Sequence, residues 1–303
     1  MTGDTALLNR LKELKEEKNA YILAHNYQID EVQDAADYVG DSFELSKLAA
    51  NTEADVIVFC GVHFMAESAK ILAPEKTVIL PDVMAGCPLA DMADPKGVRE
   101  MKEKHPQAAV ACYINTAAAV KAECDVCVTS SNAVKIIDTY PAEEFIFLPD
   151  KNLAHFVSTK TNKKIIPWEG YCITHHRVTG EEAKKARESI PDALLMVHPE
   201  CKPEVVEQAD EVLGTGGMIR FARESQQKKF LVGTELGLIY RLKKENPDKE
   251  FYLLSAGMLC PNMKLTNLEK MVSSLENLSP SIEVPEDIRV KAKIALDRML
   301  EYS

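Results

Sequence analysis

Short runs of apolar residues alternate along the chain with segments in which apolar residues recur at helical spacing. This alternation predicts strand–helix units whose strands lie parallel in small sheets. Three of the runs end in polar residues: YILAHNYQ, AVACYINT and LLMVHPEC. They place His25, Tyr113 and His198 in register, at separations of 88 and 85 residues. A repeated unit is therefore indicated before any motif is considered.

Further elements of the pattern keep the same register. Alanine-rich segments predict a helix that leads from each polar end to a second polar tip. Two sets of residues recur at these second tips with offsets of 88 and 85: Asp37, Asp125 and Asp210, and Ser42, Ser130 and Thr215. Second strands then follow and lead into another helix: ADVIVFCG, EEFIFLPD and KKFLVGTE.

Third strands lead to a cysteine that follows a glycine by one to three residues: KTVILPDVMAGC, NKKIIPWEGYC and KEFYLLSAGMLC. Cys87, Cys172 and Cys260 are therefore 85 and 88 residues apart. A helix is predicted to begin six or seven residues after each cysteine, at DPKGVREM, TGEEAKKA and TNLEKMVS, with Asp or Thr as the N-cap.

One shared element is expected by chance in an α/β chain, whereas four elements in a fixed order and register indicate triplication. We expect an α/β protein with three pseudo-threefold-related αβα sandwich domains, whose small parallel sheets surround a central active site. The predicted units are residues 1–86, 87–171 and 172–264. Residues 265–303 are predicted to form helices that pack back on the first unit, since apolar residues recur at helical spacing there.

Composition narrows the class of protein. The net charge of -11 and the pI near 5.3 disfavour general binding to nucleic acid or to an anionic membrane surface. The first residues are charged and helical in pattern, unlike a signal peptide, and no apolar run approaches the ~20 residues of a membrane span. We therefore expect a cytoplasmic protein with neither nucleic-acid nor membrane partners.

Eight cysteines are present, and in a cytoplasmic chain they favour metal binding, catalysis or burial over disulfides. Functional groups in parallel α/β units collect where strands end. Three such units around one axis would bring Cys87, Cys172 and Cys260 together. Three thiolates suit an iron–sulfur cluster, or zinc with one open position.

The single CxxC motif, Cys124 to Cys127, is interpreted as core by the same register. Cys124 aligns with two alanines and Cys127 with two valines, all at predicted helix positions: Ala36 and Ala209, and Val39 and Val212. Small buried hydrophobic residues are the better interpretation of both cysteines. Cys112 falls inside a strand, Cys60 ends one, and Cys201 stays ambiguous beside His198 and Glu200.

Six motifs in this order resemble quinolinate synthase: AHNYQ, MAGCPLADM, YINT, GYC, HPEC and GMLCPN. The resemblance covers nearly the whole chain. It implies three αβα domains around a [4Fe–4S] cluster held by one cysteine from each, which by position are Cys87, Cys172 and Cys260. The fourth iron would lack a protein ligand and act on the substrate as a Lewis acid.

The resemblance also implies the reaction and its partners. Members of the family are transferases of NAD biosynthesis. They condense iminoaspartate (iminosuccinate) with dihydroxyacetone phosphate. Quinolinate, phosphate and two waters are released, with no net redox change. An L-aspartate oxidase or dehydrogenase would supply the iminoaspartate.

The resemblance implies catalysis or substrate binding at six residues in the polar ends of the first strands: His25, Tyr27, Tyr113, Asn115, His198 and Glu200. Glu200 suits a general base, and Tyr27 suits a proton shuttle to a hydroxyl or carbonyl. The two histidines suit a developing oxyanion or a carboxylate, and Tyr113 and Asn115 can orient a polar substrate.

At the second tips, the hydroxyls of Ser42, Ser130 and Thr215 suit phosphate and carboxylate groups. The glycines of GTGG, 214–217, are expected to add backbone freedom there. The THHR segment, 174–177, is expected at the surface or behind the residues that touch substrate.

Two other functions remain open on the residues alone. A zinc-dependent lyase or hydrolase would use the same three thiolates. A non-catalytic iron–sulfur sensor would need no convergent set of His, Tyr, Glu and Ser, so the tips disfavour it. Some members of the family carry an additional C-terminal cysteine cluster, and this chain has no cysteine after Cys260.

Overall fold

Three four-stranded sheets, parallel throughout, form the framework of the chain in a computed structural model, which describes residues 3–303. Their central strands are continuous apolar runs that are buried on both faces, as parallel sheets covered by helices require. The α/β class with three flanked sheets is confirmed.

The first unit contains four strands that alternate with helices. Its elements are α1 (Gly3–Glu17), β1 (Ala20–His25), α2 (Asp30–Ala35), β2 (Tyr38–Gly40), α3 (Ser42–Asn51), β3 (Val56–Cys60), α4 (His63–Leu72) and β4 (Thr77–Ile79). A 3₁₀ turn at Ala90–Met92 follows Cys87.

The second unit repeats this order. Its elements are α5 (Pro95–Lys104), β5 (Ala109–Tyr113), α6 (Ala118–Lys121), β6 (Val126–Val128), α7 (Ala133–Thr139), β7 (Glu144–Leu148), α8 (Lys151–Ser158) and β8 (Lys164–Pro167). The short helix α9 (Ile173–His176) follows Cys172 directly.

The third unit repeats it again. Its elements are α10 (Gly180–Ser189), β9 (Leu194–Val197), α11 (Pro203–Val206), β10 (Glu211–Val212), α12 (Thr215–Glu224), β11 (Lys229–Gly233), α13 (Gly237–Glu245) and β12 (Glu250–Leu253). A 3₁₀ turn at Pro261–Lys264 follows Cys260, and α14 (Leu268–Asn277) and α15 (Glu286–Tyr302) end the chain.

The strand order is the same in all three sheets: β2-β1-β3-β4, β6-β5-β7-β8 and β10-β9-β11-β12. Sequence reasoning predicted three strands per unit and missed the edge strands β2, β6 and β10, whose residues it assigned to helices. These strands have only two or three residues, too few to show a strand period. Cys127 is therefore a strand residue, although its alignment with Val39 and Val212 holds.

A repeated aspartate fixes each edge strand to its neighbour. The Asp37 carboxylate accepts a hydrogen bond from the Ile22 N–H at 2.9 Å, and the Asp37 N–H donates to the Ile22 carbonyl at 2.9 Å. Two further pairs repeat both bonds: Asp125 with Val110, and Asp210 with Leu195. The aligned aspartates thus do the same structural work in each unit.

Capped helices follow the three cysteines. Asp94 caps α5 and Thr179 caps α10 through their side chains, as predicted. The third cap is Asn267, whose carboxamide accepts from the Lys270 N–H, and not Thr266 as the sequence pattern suggested.

The C-terminal helices cover two units. Helix α14 packs on α1 and contributes Leu268, Met271 and Leu275 to the core beside β1 and β3. Helix α15 touches α4 of the first unit but lies mainly against β6, α6 and α7 of the second. It thereby covers an edge strand that has only three residues of its own. Within the described chain, no helix has both the length and the apolarity of a membrane span.

Candidate active site and metal centre

The ends of the three first strands meet around a cavity of about 50 Å³. Its wall includes every tip residue singled out from the sequence: His25, Tyr27, Ser42, Tyr113, Asn115, Ser130, His198, Glu200 and Thr215. Asp41, Met65, Thr129 and Met263 complete the wall and were not predicted. Residues from all three units thus share one enclosed space, while their individual roles stay predictions.

Two buried imidazoles face the cavity in matching orientations. The Tyr27 N–H donates to His25 Nδ1 at 3.2 Å, and the Glu200 N–H donates to His198 Nδ1 at 3.3 Å. The bond at His25 favours its Nε2–H tautomer, whereas His198 Nδ1 also lies 3.3 Å from Glu200 Oε2. Burial lowers the pKa of His25 to about 3, helped by His198 and Lys264, so this ring is neutral. Burial also lowers the pKa of His198, against the pull of the Glu200 carboxylate.

A chain of hydrogen bonds joins Glu200 to Tyr27. Glu200 Oε2 lies 2.7 Å from His175 Nδ1, and His175 Nε2 lies 2.9 Å from Thr234 Oγ1. Thr234 Oγ1 is in turn 2.6 Å from the Tyr27 hydroxyl. All four side chains are buried, so the chain provides a path for protons that is shielded from solvent.

The charges along this chain follow from its surroundings. Burial opposes ionisation of Glu200, but His198 and His175 outweigh it and hold the pKa of Glu200 below its ordinary value. Burial, with Glu200 nearby, raises the pKa of Tyr27 well above 10, and that of Tyr113 likewise. The site therefore holds the ionised Glu200 carboxylate beside neutral phenols, and Glu200 Oε1 has no hydrogen-bond partner among the described residues.

The second tips line the cavity too. Ser42 and Thr215 are the first residues of α3 and α12. The Asp41 carboxylate already accepts from two backbone N–H groups of α3, whereas no side chain caps α12, so the N-terminus of α12 favours an anion. Thr215 Oγ1 accepts from Asn26 Nδ2 at 2.9 Å, and Ser130 Oγ lies 3.1 Å from His198 Nε2. Hydroxyl groups are thus held next to helix N-termini.

The GTGG glycines provide space rather than unusual backbone angles. A Cβ on Gly214 would lie 2.8 Å from Ser130 Oγ, and one on Gly216 would lie 2.8 Å from Asp41 Oδ2. Within the described chain no glycine has a positive φ. The expectation of added backbone freedom was therefore wrong, and close contact between the three units explains these glycines.

Cys87, Cys172 and Cys260 lie partly buried at the start of short helical turns. The backbone N–H three residues further on favours the thiolate form of each cysteine: Ala90, His175 and Met263 respectively. Burial raises the pKa of Cys87 to about 12, and the Cys260 and Glu200 charges add to the shift. Cys87 in turn raises the pKa of Cys172. Cys87 therefore lies within electrostatic reach of both other cysteines.

Buried carboxyl groups hold two of the cysteine backbones. Asp150 Oδ2 accepts from the Cys172 N–H at 2.8 Å, and Glu235 Oε1 accepts from the Cys260 N–H at 3.1 Å. Asp150 lies just after β7, and Glu235 lies just after β11. Lys264 pairs with Glu235 at 3.0 Å. The sequence interpretation missed both acids.

One group of side chains has metal-ligand spacing. The ligand atoms of Cys172, His175 and Glu200 all lie within 4.8 Å of one another. His175 Nδ1 is 3.2 Å from Cys172 Sγ and 2.7 Å from Glu200 Oε2, so it connects a cysteine to the cavity.

The chain matches the family described as "NadA: Quinolinate synthetase A protein" over residues 9–301. It belongs to the quinolinate synthase family. The quinolinate synthase of Methanosarcina barkeri is 54% identical over 97% of both chains. That of Caldicellulosiruptor saccharolyticus is 56% identical over 97% of both, and that of Geobacter sp. is 54% identical over 99% of this chain and 98% of its own.

The remaining cysteines of this quinolinate synthase family member are core residues. Cys112, Cys124 and Cys127 are buried in the second unit, and Cys112 Sγ lies 3.4 Å from Cys127 Sγ across the β5–β6 pair. Cys201 is buried in the third unit, where its thiol points to the Gly233 carbonyl. Cys60 ends β3 and is buried too.

The sequence pattern did not reveal several residues that the structure places beside the cavity or the cysteines. His175 was expected at the surface or behind the site, yet it is 1% exposed and contacts both Glu200 and Cys172. Thr234 follows β11 and Asp150 follows β7. Functional groups collect at the ends of parallel strands, so this rule predicts both positions. His176 is only half-buried and packs on Tyr171.

Proposed function

We propose that the chain condenses iminoaspartate with dihydroxyacetone phosphate to give quinolinate, phosphate and two waters in the cavity between its three units. The observation that supports this most directly is the buried Glu200–His175–Thr234–Tyr27 chain, which joins a carboxylate base to a neutral phenol. Dehydration and cyclisation require protons to be removed and returned at several atoms. This series of hydrogen-bonded side chains can both accept and donate protons.

The donor set fits a [4Fe–4S] cluster. Cys87 lies within electrostatic reach of Cys172 and Cys260, and burial raises the pKa of all three thiols. Their main electrostatic partners include no lysine or arginine except Lys264. Only a strongly positive group makes such thiols ionise together, and a backbone N–H already favours the thiolate form of each. Cys87, Cys172 and Cys260 would hold the cluster, whose remaining iron, when bound, supplies Lewis-acid chemistry.

Proton transfer and the stabilisation of negative charge are assigned to side chains of the protein. Glu200 removes the proton next to the imine carbon of iminoaspartate, and a proton returned to the imine nitrogen completes the enamine tautomer. Tyr27 gives a proton to the departing hydroxyl, which leaves as water, and is reprotonated through Thr234 and His175. His25, through its Nε2–H group, and His198 donate to carboxylate or developing oxyanion oxygens.

Binding and orientation fall to the neutral polar wall. The hydroxyls of Ser42, Ser130 and Thr215, with the N-terminus of α12, receive the phosphate and a carboxylate. Tyr113 and Asn115 orient the substrate, and Asn115 Oδ1 is a buried acceptor that lacks a partner among the described residues. The protein is expected to work in the cytoplasm with an L-aspartate oxidase or dehydrogenase as the source of iminoaspartate.

A single-metal enzyme is the second candidate, since Cys172, His175 and Glu200 have the spacing of a mononuclear site. It would leave Cys87 and Cys260 without a role. Turnover separates the candidates from each other and from a non-catalytic sensor. Anaerobically purified protein should form quinolinate from freshly generated iminoaspartate and dihydroxyacetone phosphate. Colourless protein with one zinc and no quinolinate would contradict the proposal.

A further inference from the structure

Lys121 is a buried ammonium group close to the substrate cavity. Its side chain is 0% exposed and is among the largest fully buried side chains. Nζ donates to the Ile114 carbonyl at 2.8 Å and to the Thr116 carbonyl, and it lies 5.4 Å from the centre of the Phe64 ring. Among the side chains that the structure describes, no carboxylate lies within ion-pair distance of it. Burial of such a charge is costly, so packing alone does not explain a lysine here.

The two carbonyls belong to the loop that carries Tyr113 and Asn115 into the cavity. In a trans peptide the C=O and N–H groups point in opposite directions. The N–H of Asn115 is therefore directed away from the ammonium that binds the Ile114 carbonyl. In the sister units the matching N–H groups, of Tyr27 and Glu200, donate to histidines. Tyr113 replaces that histidine here, which leaves the Asn115 N–H available.

The side chain of Lys121 could serve two purposes: it holds the loop by hydrogen bonds, and it supplies a positive charge. The equivalent positions in the other two units separate these purposes. Gln33, 88 residues earlier, has the same register as Lys121 and is buried. Its Nε2 donates to the Gln28 carbonyl at 2.8 Å and to the Asn26 carbonyl at 3.4 Å, the register equivalents of Thr116 and Ile114. The third unit has Val206 at this position. A neutral amide thus holds the same loop in unit one, so the positive charge of Lys121 requires another reason.

The cavity supplies that reason. Among the described residues its wall includes the carboxyl groups of Asp41 and Glu200 but no lysine or arginine. The substrates of the proposed function are a dicarboxylate and a phosphate ester, so they bring several negative charges into a buried site. Neutral hydroxyls and imidazoles can orient such groups but do not balance their charge.

We propose that Lys121 is a positioning residue whose buried positive charge, acting through the Ile114–Thr116 loop, stabilises the anionic substrates in the cavity. This inference rests on the proposed function. The loop carbonyls connect the ammonium to the peptide groups that face the substrate, and no solvent screens the interaction.

Two variants separate the charge from the anchor. Lys121→Gln copies unit one, so it keeps a donor for both carbonyls and removes the charge. Lys121→Met removes both. For Lys121→Gln we expect an increase in the KM for dihydroxyacetone phosphate on the order of tenfold, with kcat within about threefold of wild type. Lys121→Met should raise KM and also lower kcat, because the Tyr113–Thr116 loop loses its anchor.

Cys124→Ala is the matched control. Cys124 is buried three residues away, so its truncation perturbs the same core while the Lys121 charge is kept. It should lower Tm as much as Lys121→Gln does and keep the wild-type KM. Lys121→Arg keeps the charge and should keep KM within about threefold of wild type. If Lys121→Gln does not fold, an Arg variant with a KM as high as that of the Met variant contradicts the proposal.

A binding readout keeps the inference separate from the reaction. Millimolar inorganic phosphate should raise the Tm of the anaerobic wild-type protein and of Cys124→Ala, and should have little effect on Lys121→Gln. This result supports the inference even if wild type forms no quinolinate, in which case only the proposed function fails. The inference would be overturned if Lys121→Gln kept both the wild-type KM and the wild-type stabilisation by phosphate. It would also be overturned if phosphate did not stabilise wild type.

Discussion

Glu200 Oε2 lies 2.7 Å from His175 Nδ1, and the same nitrogen lies 3.2 Å from Cys172 Sγ. Glu200 follows the first strand of the third unit, whereas His175 belongs to the helical turn that begins at Cys172. One imidazole therefore connects the proposed base to a proposed cluster ligand. Changes at either end should be felt at the other, and the predictions below use this connection.

Glu200→Gln should keep the fold and the cluster but lose turnover. The amide keeps the size of the side chain and can still pair with His175, yet it cannot accept a proton from substrate. We expect kcat to fall by ~10²–10⁴-fold, the usual range for loss of a general base. Quinolinate formation measured on protein of wild-type iron content tests this. Activity near wild type would remove Glu200 as the base.

Thr234→Val should interrupt the proton path without emptying the site. Valine keeps the shape of threonine, but no hydroxyl remains between His175 Nε2 and the Tyr27 hydroxyl. Since Thr234 contacts these two groups and does not line the cavity, kcat should fall by on the order of tenfold or more while KM changes little. Steady-state kinetics decides, and an increase in KM alone would argue against a relay.

Gly237→Ala should displace the loop that carries Tyr27. A Cβ at Gly237 would lie 2.6 Å from the Tyr27 carbonyl carbon and oxygen, and backbone cannot move aside cheaply. The free energy of unfolding should fall by about 1–3 kcal/mol, and activity should fall with it. Gly86→Ala is the matched control, because nothing lies within 4 Å of its Cβ although it neighbours Cys87. Equal tolerance of both substitutions would be incompatible with the packing described.

Mild acid should destabilise the protein partly through His25. Its pKa is about 3 in the folded chain, chiefly because of burial, against about 6.5 when unfolded. Between these values the unfolded state binds a proton that the folded state does not, so the free energy of unfolding falls as pH falls. At about pH 5.5 this loss is about 1 kcal/mol relative to neutral pH.

Anaerobic urea unfolding of wild type and His25→Gln, at about pH 7.5 and about pH 5.5, tests this contribution. The variant should lose less stability on acidification than wild type. Asp41 shifts stability in the opposite direction, since burial raises its pKa to about 6, and it is common to both proteins. Equal losses in the two proteins would show that His25 is not held neutral.

The repeat explains why so much of the site could be predicted from the sequence. His25, Tyr113 and His198 occupy matching positions, and a side chain at the end of a parallel strand can only point to the sheet edge that faces the other units. The same register identified Cys124 and Cys127 as core, where they lie. The exact boundaries between the units stay a prediction, because α15 contacts two of them.

What the sequence did not reveal lies outside the repeated positions. His175 has no histidine in register in the other units, and its burial depends on the turn that Cys172 begins. Edge strands of two or three residues carry no periodic signal. The role proposed for Lys121 depends on its carbonyl partners, which match those of Gln33 in the fold and leave no mark in the sequence pattern.

The iron and sulfide content of anaerobically purified protein tests the central claim most directly. Wild type and Cys124→Ala should each contain about four irons and four sulfides per chain, as one [4Fe–4S] cluster requires. Cys87→Ala, Cys172→Ala and Cys260→Ala should each lose them. Wild-type protein with one zinc and no sulfide, or loss of iron in Cys124→Ala with retention in the other three, would contradict the account.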